Sequence, residues 1–328
     1  MGINWSSASL VLIVLAACGG SKSSGFGDAD GGFLVGDGGS GTFNDSGNGG
    51  PGPGGGATVL YAHTSTELFQ LDPKNISAPM KPIGKFDCIG KGSGPSSMTD
   101  IAVSKDGALF GVSNSGAYPL QVTGSNVHCA ATWPLPSSSN FYGLTMAPEN
   151  TVDAQETLIA ANDAGALYRI DAVSGATTQV GTLGVDAGGQ PWALSGDIVF
   201  LANGGNPVAF ATVRICTGPS QSTCGTTDTL IELDVSKVKP GTQSTLKAIR
   251  GQVVKGSWCT NAASPATFGS MFGIAAYDDK VYGFSNKGDL VEIHNDDGSG
   301  CLVTTYPNTS FKGAGVTTSA PVKAPPIK

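Results

Sequence analysis

The chain has 328 residues, of which only 13% are charged, and its formal net charge is −7. Its 18 Lys and Arg residues form no cluster, which excludes phosphate-backbone binding to nucleic acid and an electrostatic hold on anionic lipid. The first element is the apolar run Leu10-Val11-Leu12-Ile13-Val14-Leu15-Ala16-Ala17. It is too short for the ~20 residues that span a bilayer as a helix, and it reads as the apolar core of a secretory leader.

Leu15-Ala16-Ala17-Cys18 resembles the lipobox of bacterial lipoproteins, although no Lys or Arg precedes it. The resemblance implies removal of residues 1–17, acylation of Cys18 (diacylglycerol on sulfur, palmitate-type acyl on the new amine) and a stable lipid anchor. Gly19 stands where an aspartate is associated with inner-membrane retention, so the resemblance implies the outer membrane, on its periplasmic or cell-surface side. Residues 18–56 are rich in Gly, Ser, Asp and Pro, with too little apolar surface to offset ordering entropy. As a Gly-rich coil of ~38 residues they form a tether with an r.m.s. reach of roughly 35 Å.

From Ala57 a repeated phrase sets the fold. It consists of an alternating apolar strand, a turn, a second strand, a Gly-containing turn and a third strand. One copy is Gly273-Ile274-Ala275-Ala276-Tyr277, Val281-Tyr282-Gly283-Phe284, Leu290-Val291-Glu292-Ile293-His294. Another is Asp100-Ile101-Ala102-Val103, Ala108-Leu109-Phe110-Gly111-Val112, Tyr118-Pro119-Leu120-Gln121-Val122. The third-strand phrase occurs five times, at Leu68–Asp72, Tyr118–Val122, Leu167–Asp171, Leu230–Asp234 and Leu290–His294. Period-two alternation with Asn-Gly, Asp-Gly and Ser-Gly turns predicts antiparallel meanders. Four-stranded units recurring every ~45–65 residues predict an all-β propeller. We expect five blades, with six as the alternative because the unit from Gln190 to Trp258 is long. The first unit lacks an innermost strand, which Gly313–Thr318 supplies, so pairing of the N- and C-terminal strands closes the ring. The propeller domain is thus expected at 57–319 and a C-terminal tail at 320–328.

Setting Cys18 aside, the other cysteines of an exported chain are expected in disulfides. Cys129 follows Cys88 at nearly the spacing with which Cys301 follows Cys259, and both pairs flank a unit, so each is expected to close one. Cys216 and Cys224 flank a loop and are expected to staple a hairpin. Three scattered histidines and no Cys-x-x-Cys leave no expected metal site.

Leu167-Tyr168-Arg169-Ile170-Asp171-Ala172-Val173-Ser174-Gly175 is similar to the repeat of quinoprotein-like and YVTN-type propellers. In quinone-binding members a tryptophan ends the repeat. Here the matching end is Gln179-Val180-Gly181, so no quinone and no other cofactor is expected. Propeller sites gather in the loops of one face around the central channel. Asp100, Trp192 and Asp197 sit near the starts of innermost strands and His63 follows a strand of the first unit, which makes them candidate ligand contacts at the channel mouth. No Gly-x-Ser-x-Gly, His-Glu-x-x-His or phosphate loop is present. The expected function is therefore a monomeric binding or scaffold module, held to the membrane through Cys18, for a protein, glycan or envelope component. The alternative is a propeller enzyme of the lyase, glycosidase or lactonase kind.

Overall fold

The computed structural model describes residues 58–92, 94–136, 140–217 and 223–322. The leader, Cys18, the tether and residues 323–328 lie outside these. In chain order the strands are β1 (Leu60–His63), β2 (Glu67–Leu71), β3 (Lys81–Phe86), β4 (Asp100–Val103), β5 (Leu109–Val112), β6 (Gly116–Thr123), β7 (Asn126–Cys129), β8 (Trp133–Pro134), β9 (Phe141–Ala147), β10 (Thr157–Asn162), β11 (Ala166–Ile170), β12 (Thr177–Thr182), β13 (Trp192–Leu201), β14 (Val208–Thr217), β15 (Thr223–Cys224), β16 (Thr229–Leu233), β17 (Leu246–Gln252), β18 (Met271–Tyr277), β19 (Lys280–Ser285), β20 (Asp289–Ile293), β21 (Gly300–Thr305) and β22 (Gly313–Val316). Among the described residues there is no α-helix, only short 3₁₀ turns such as Pro73–Asn75, where Pro sits in the first turn and Asp72 caps the Lys74 N–H.

Pairing is antiparallel throughout, with one exception. The strands fall into groups of consecutive neighbours: β4 to β7, β9 to β12, β13-β14-β16-β17 and β18 to β21. The remaining group is β22-β1-β2-β3, in which the last strand pairs with the first, Leu60 opposite Val316 and His63 opposite Gly313. The exception joins two groups into one nine-stranded sheet: β3 runs parallel to β7, Lys85 opposite Asn126 and Phe86 opposite Val127. Sequence alternation carries no signal for this outer-edge pairing. Gly84 makes it possible, because a Cβ there would fall on the Ser125 carbonyl.

Each of the strands β22, β4, β9, β13 and β18 opens its group, and they lie side by side in that order, with β18 returning to β22. Among them β4, β13 and β22 are buried along their whole length. Apolar side chains on both sheet faces interlock between groups. Leu68, Met98, Ile101 and Tyr118 fill the space between the first and second groups, and Phe141, Leu144 and Leu158 fill that between the second and third. Burying each such side chain contributes about 1.5–3 kcal/mol. Two glycines show why the turns read so clearly. Gly165 (φ +78°) and Gly288 (φ +86°) occupy equivalent hairpins in the left-handed region, and at both a Cβ would collide with a carbonyl, of Trp192 and Tyr306 respectively.

All three expected disulfides are formed: Cys88–Cys129, Cys216–Cys224 and Cys259–Cys301. The chain after β22 is not a free tail at its start. Thr317 bonds Val59 and bridges Val103, while Thr318 accepts from the Ala202 N–H and donates to Glu156 Oε1. Ala320 and Val322 are buried, and Val322 bridges Asp279. This short strap touches every strand group.

Candidate functional site

The opening strands carry a Gly or Asp followed by an apolar residue at one common level: Gly313-Ala314, Asp100-Ile101, Gly143-Leu144, Asp197-Ile198 and Gly273-Ile274. Hydrogen bonds fix that level. The Leu144 N–H donates to Asp100 Oδ2 at 2.5 Å, and the Ile274 N–H donates to Asp197 Oδ2 at 2.6 Å. Asp197 Oδ1 also accepts from Ile198 N–H, and Gly273 abuts the Gly313–Ala314 peptide. Glycine at three of the five positions leaves the space that the two carboxyl groups occupy. A sequence signal for this existed in the recurring Gly/Asp-apolar pair, but its spatial alignment did not.

His63, Asp100 and Asp197 are thus brought together, each with no exposed surface. Asp100 and Asp197 lie close enough for the charge of one to bear on the other. Burial is the main cause that pushes both carboxyl groups up, Asp197 to about 8 and Asp100 well above its ordinary value. The negative charge of Asp197 raises Asp100 further, while the backbone N–H bonds pull the other way. At neutral pH Asp197 therefore keeps its proton. Burial, reinforced weakly by Lys312, lowers His63 to about 4, so its imidazole is neutral. Its Nδ1 lies 2.8 Å from the Thr64 carbonyl oxygen, to which only a protonated nitrogen can donate. Nε2 is then an acceptor, 4.0 Å from Asp100 Oδ1, and neither atom has a protein hydrogen-bond partner. Both lie where a Cβ on Gly313 would stand.

The sequence places these residues at a mouth open to ligand. In the structure none is open to solvent, because their carboxyl groups turn inward to the N–H groups of neighbouring strands. Trp192 is separate from them. It opens β13 and is buried in the apolar cluster with Leu183, Val213 and Leu194, its Nε1 unpartnered. Below the acids the space between the opening strands is nearly filled by Ile101, Leu144, Ile198, Ile274 and Val316, leaving about 10 Å³. That is close to the room one water molecule needs.

A second polar group went unread in the sequence. The strand irregularity between Leu194 and Ile198 presents Ser195, whose hydroxyl donates to buried Asp228 Oδ1 at 2.5 Å. Arg214 donates to Ser195 Oγ through Nε at 3.1 Å and stands 3.4 Å from Asp228. The Met271 N–H completes the Asp228 contacts. Its residues come from four separate segments of the chain, so no local motif announced it. Ser195 bridges a carboxyl group and a guanidinium, an arrangement that ties the strands together.

Two groupings of metal-ligand type occur among the described residues. In Asp87–Cys88–Cys129 the sulfurs are spent in a disulfide. In His294–Asp296–Asp297 the imidazole lies flat on Trp258, ring centroids 3.8 Å apart.

No protein-family model matches the chain, and no curated protein does. Among solved structures, U3-55K is similar over 79% of this chain and 82% of its own, at 12% identity and a TM-score of 0.39. BBS1N, solved in complex with ARL6DN, is similar over 73% of this chain and 64% of its own, at 12% identity and a TM-score of 0.31. The extracellular domain of a one component system of B. thetaiotaomicron is similar over 77% of this chain but only 30% of its own, at 11% identity and a TM-score of 0.37.

Proposed function

We propose that the chain is a lipid-anchored outer-membrane protein whose described part is a five-bladed β-propeller, acting as a binding or scaffold module. Five opening strands in mutual contact and the pairing of β1 with β22 support five blades and closure by the chain ends. The long unit from Gln190 supports a single blade, since its extra length goes into the ten-residue strands β13 and β14 and the β15 hairpin.

The observation that carries the functional reading is the enclosure of the acid pair. Asp100 and Asp197 have no exposed surface, and each gives one carboxyl oxygen to a backbone N–H of an adjoining strand. They serve the ring. The competing enzyme reading has its best support in the raised carboxyl pair. A glycosidase pair, however, flanks its substrate with ~5–10 Å between the carboxyl groups, whereas these two are fully enclosed and leave a substrate no access.

The test compares Asp100→Asn and Asp197→Asn with wild type. On this reading both lower the unfolding midpoint and leave ligand affinity unchanged. Substrate turnover abolished by either change at unaltered stability would establish the enzyme instead. The anchor is tested separately: Cys18→Ser should shift the protein from the outer-membrane fraction to the soluble one.

A further inference from the structure

A cleft of about 580 Å³ opens beside the second strand group, within the range of small-molecule sites (roughly 300–1,000 Å³). Its walls are the segment 94–97, the β5–β6 turn and the stretch around β8. It lies at the end of β4 where Asp100 stands, since the β5–β6 turn and the residues leading into β4 share that end. Resting on the binding-module reading above, we propose that this cleft is the ligand site and that its ligand is a neutral carbohydrate.

The chemistry of the lining selects the class. None of its residues is charged, in a chain of net charge −7. A phosphate, a carboxylate or a basic peptide would find no counter-charge there. Ser96, Ser97, Ser115 and Thr132 offer hydroxyl groups and Asn114 an amide, all able to donate and accept. This is the adaptable polarity that sugar hydroxyl groups match. Pro95 and Pro134 add saturated ring faces for the C–H side of a pyranose. A peptide-recognition site would instead need apolar side-chain pockets, which this lining lacks.

The cleft is also fixed in shape. Cys88 at its edge is bonded to Cys129, and the buried Tyr118 hydroxyl is held by Ser113 Oγ at 3.0 Å. Gly116 makes room for the Tyr118 phenol, since a Cβ there would meet its oxygen at 2.7 Å. The Ser113 hydroxyl and the Gly116 N–H lock the turn that carries Asn114 and Ser115. A site built this way loses little ordering entropy on binding.

The experiment is calorimetric titration of the full chain, in a non-glycosidic detergent, with neutral gluco-, manno-, galacto- and chito-oligosaccharides. Ser115→Trp fills the cleft from an exposed turn, and Asn114→Ala removes the amide; unfolding midpoints verify that both fold. Saturable binding of at least one oligosaccharide is expected, weakened tenfold or more by Ser115→Trp and about threefold or more by Asn114→Ala. Binding that survives Ser115→Trp unchanged overturns the cleft while leaving the binding-module reading in place. Failure of every neutral oligosaccharide with folded wild type, or binding of a peptide or an acidic glycan alone, overturns the ligand class. Appearance of new reducing ends would sink the non-catalytic reading and leave the cleft assignment standing.

Discussion

Gly313 shows how one missing side chain organises this interior. His63 Nε2 and Asp100 Oδ1 press against its Cα from two strand groups, and a Cβ would overlap both. Gly313→Ala should destabilise by about 1–3 kcal/mol, the usual cost of overpacking, read as a lower urea midpoint with unchanged slope. The same cluster predicts an unusual pH dependence. Folding raises Asp100 and Asp197 above their unfolded values, so the native state keeps protons that the unfolded state has released. Their contribution is therefore greatest below about pH 4 and declines as the pH rises through about 8. His63 acts oppositely over a lower window. Its value falls from 6.5 unfolded to about 4 folded, so stability is lost as the pH falls through that range. The groups facing this cluster are Lys312, near His63, and the two acids themselves. Denaturation midpoints should fall from pH 5 to about 8, since two raised acids outweigh the one lowered histidine below pH 6.5 and nothing opposes them above it, and Asp197→Asn should flatten that decline. A wild-type profile level from pH 6.5 to 8 would contradict the raised carboxyl values.

At the scale of elements, the disulfides differ in what they constrain. Cys88–Cys129 and Cys259–Cys301 close loops with separations of 41 and 42 residues, against 8 for Cys216–Cys224. Loop-closure entropy assigns about 4 kcal/mol to each long bridge and about 2.5 kcal/mol to the short one. Replacing each pair by serine should rank the thermal midpoints in that order. The Cys88–Cys129 pair should cost more than its twin, because it also secures the parallel β3–β7 junction, where Asp87 Oδ1 accepts the Cys129 N–H at 3.0 Å. These pairings were legible because two units repeat the same cysteine spacing. The β3–β7 junction was not legible, since strand alternation records which face is buried but not which edge meets which. For Trp192 the start of an innermost strand suggests a channel mouth, and its ring packs in the apolar cluster between strand groups.

Across the whole molecule, stability depends on joining the two ends of the described chain. β22 supplies the partner that β1 otherwise lacks, and the strap that follows touches every group. Truncation after Lys312 should expose one edge of β1 and the buried faces of Leu60 and Ala62. Calorimetry should then show a broadened, lower transition in place of a single cooperative one. A truncated chain that unfolds as sharply as wild type would mean the groups are held mainly by their mutual packing. Some of this was determined by the sequence alone: strand positions from period-two alternation, turns from glycines in left-handed conformations, and disulfide partners from repeat spacing. Each of these is a local property, encoded within a few residues or within one repeat. The tertiary structure alone decided that Asp100 and Asp197, on different strand groups, come together, that Ser195, Arg214 and Asp228 form one network, and that a neutral cleft lies beside Tyr118. The first depends on how the strand groups are placed around one another, the other two on how strands and turns within a group are set against each other, and no local pattern records those distances or the desolvation they bring.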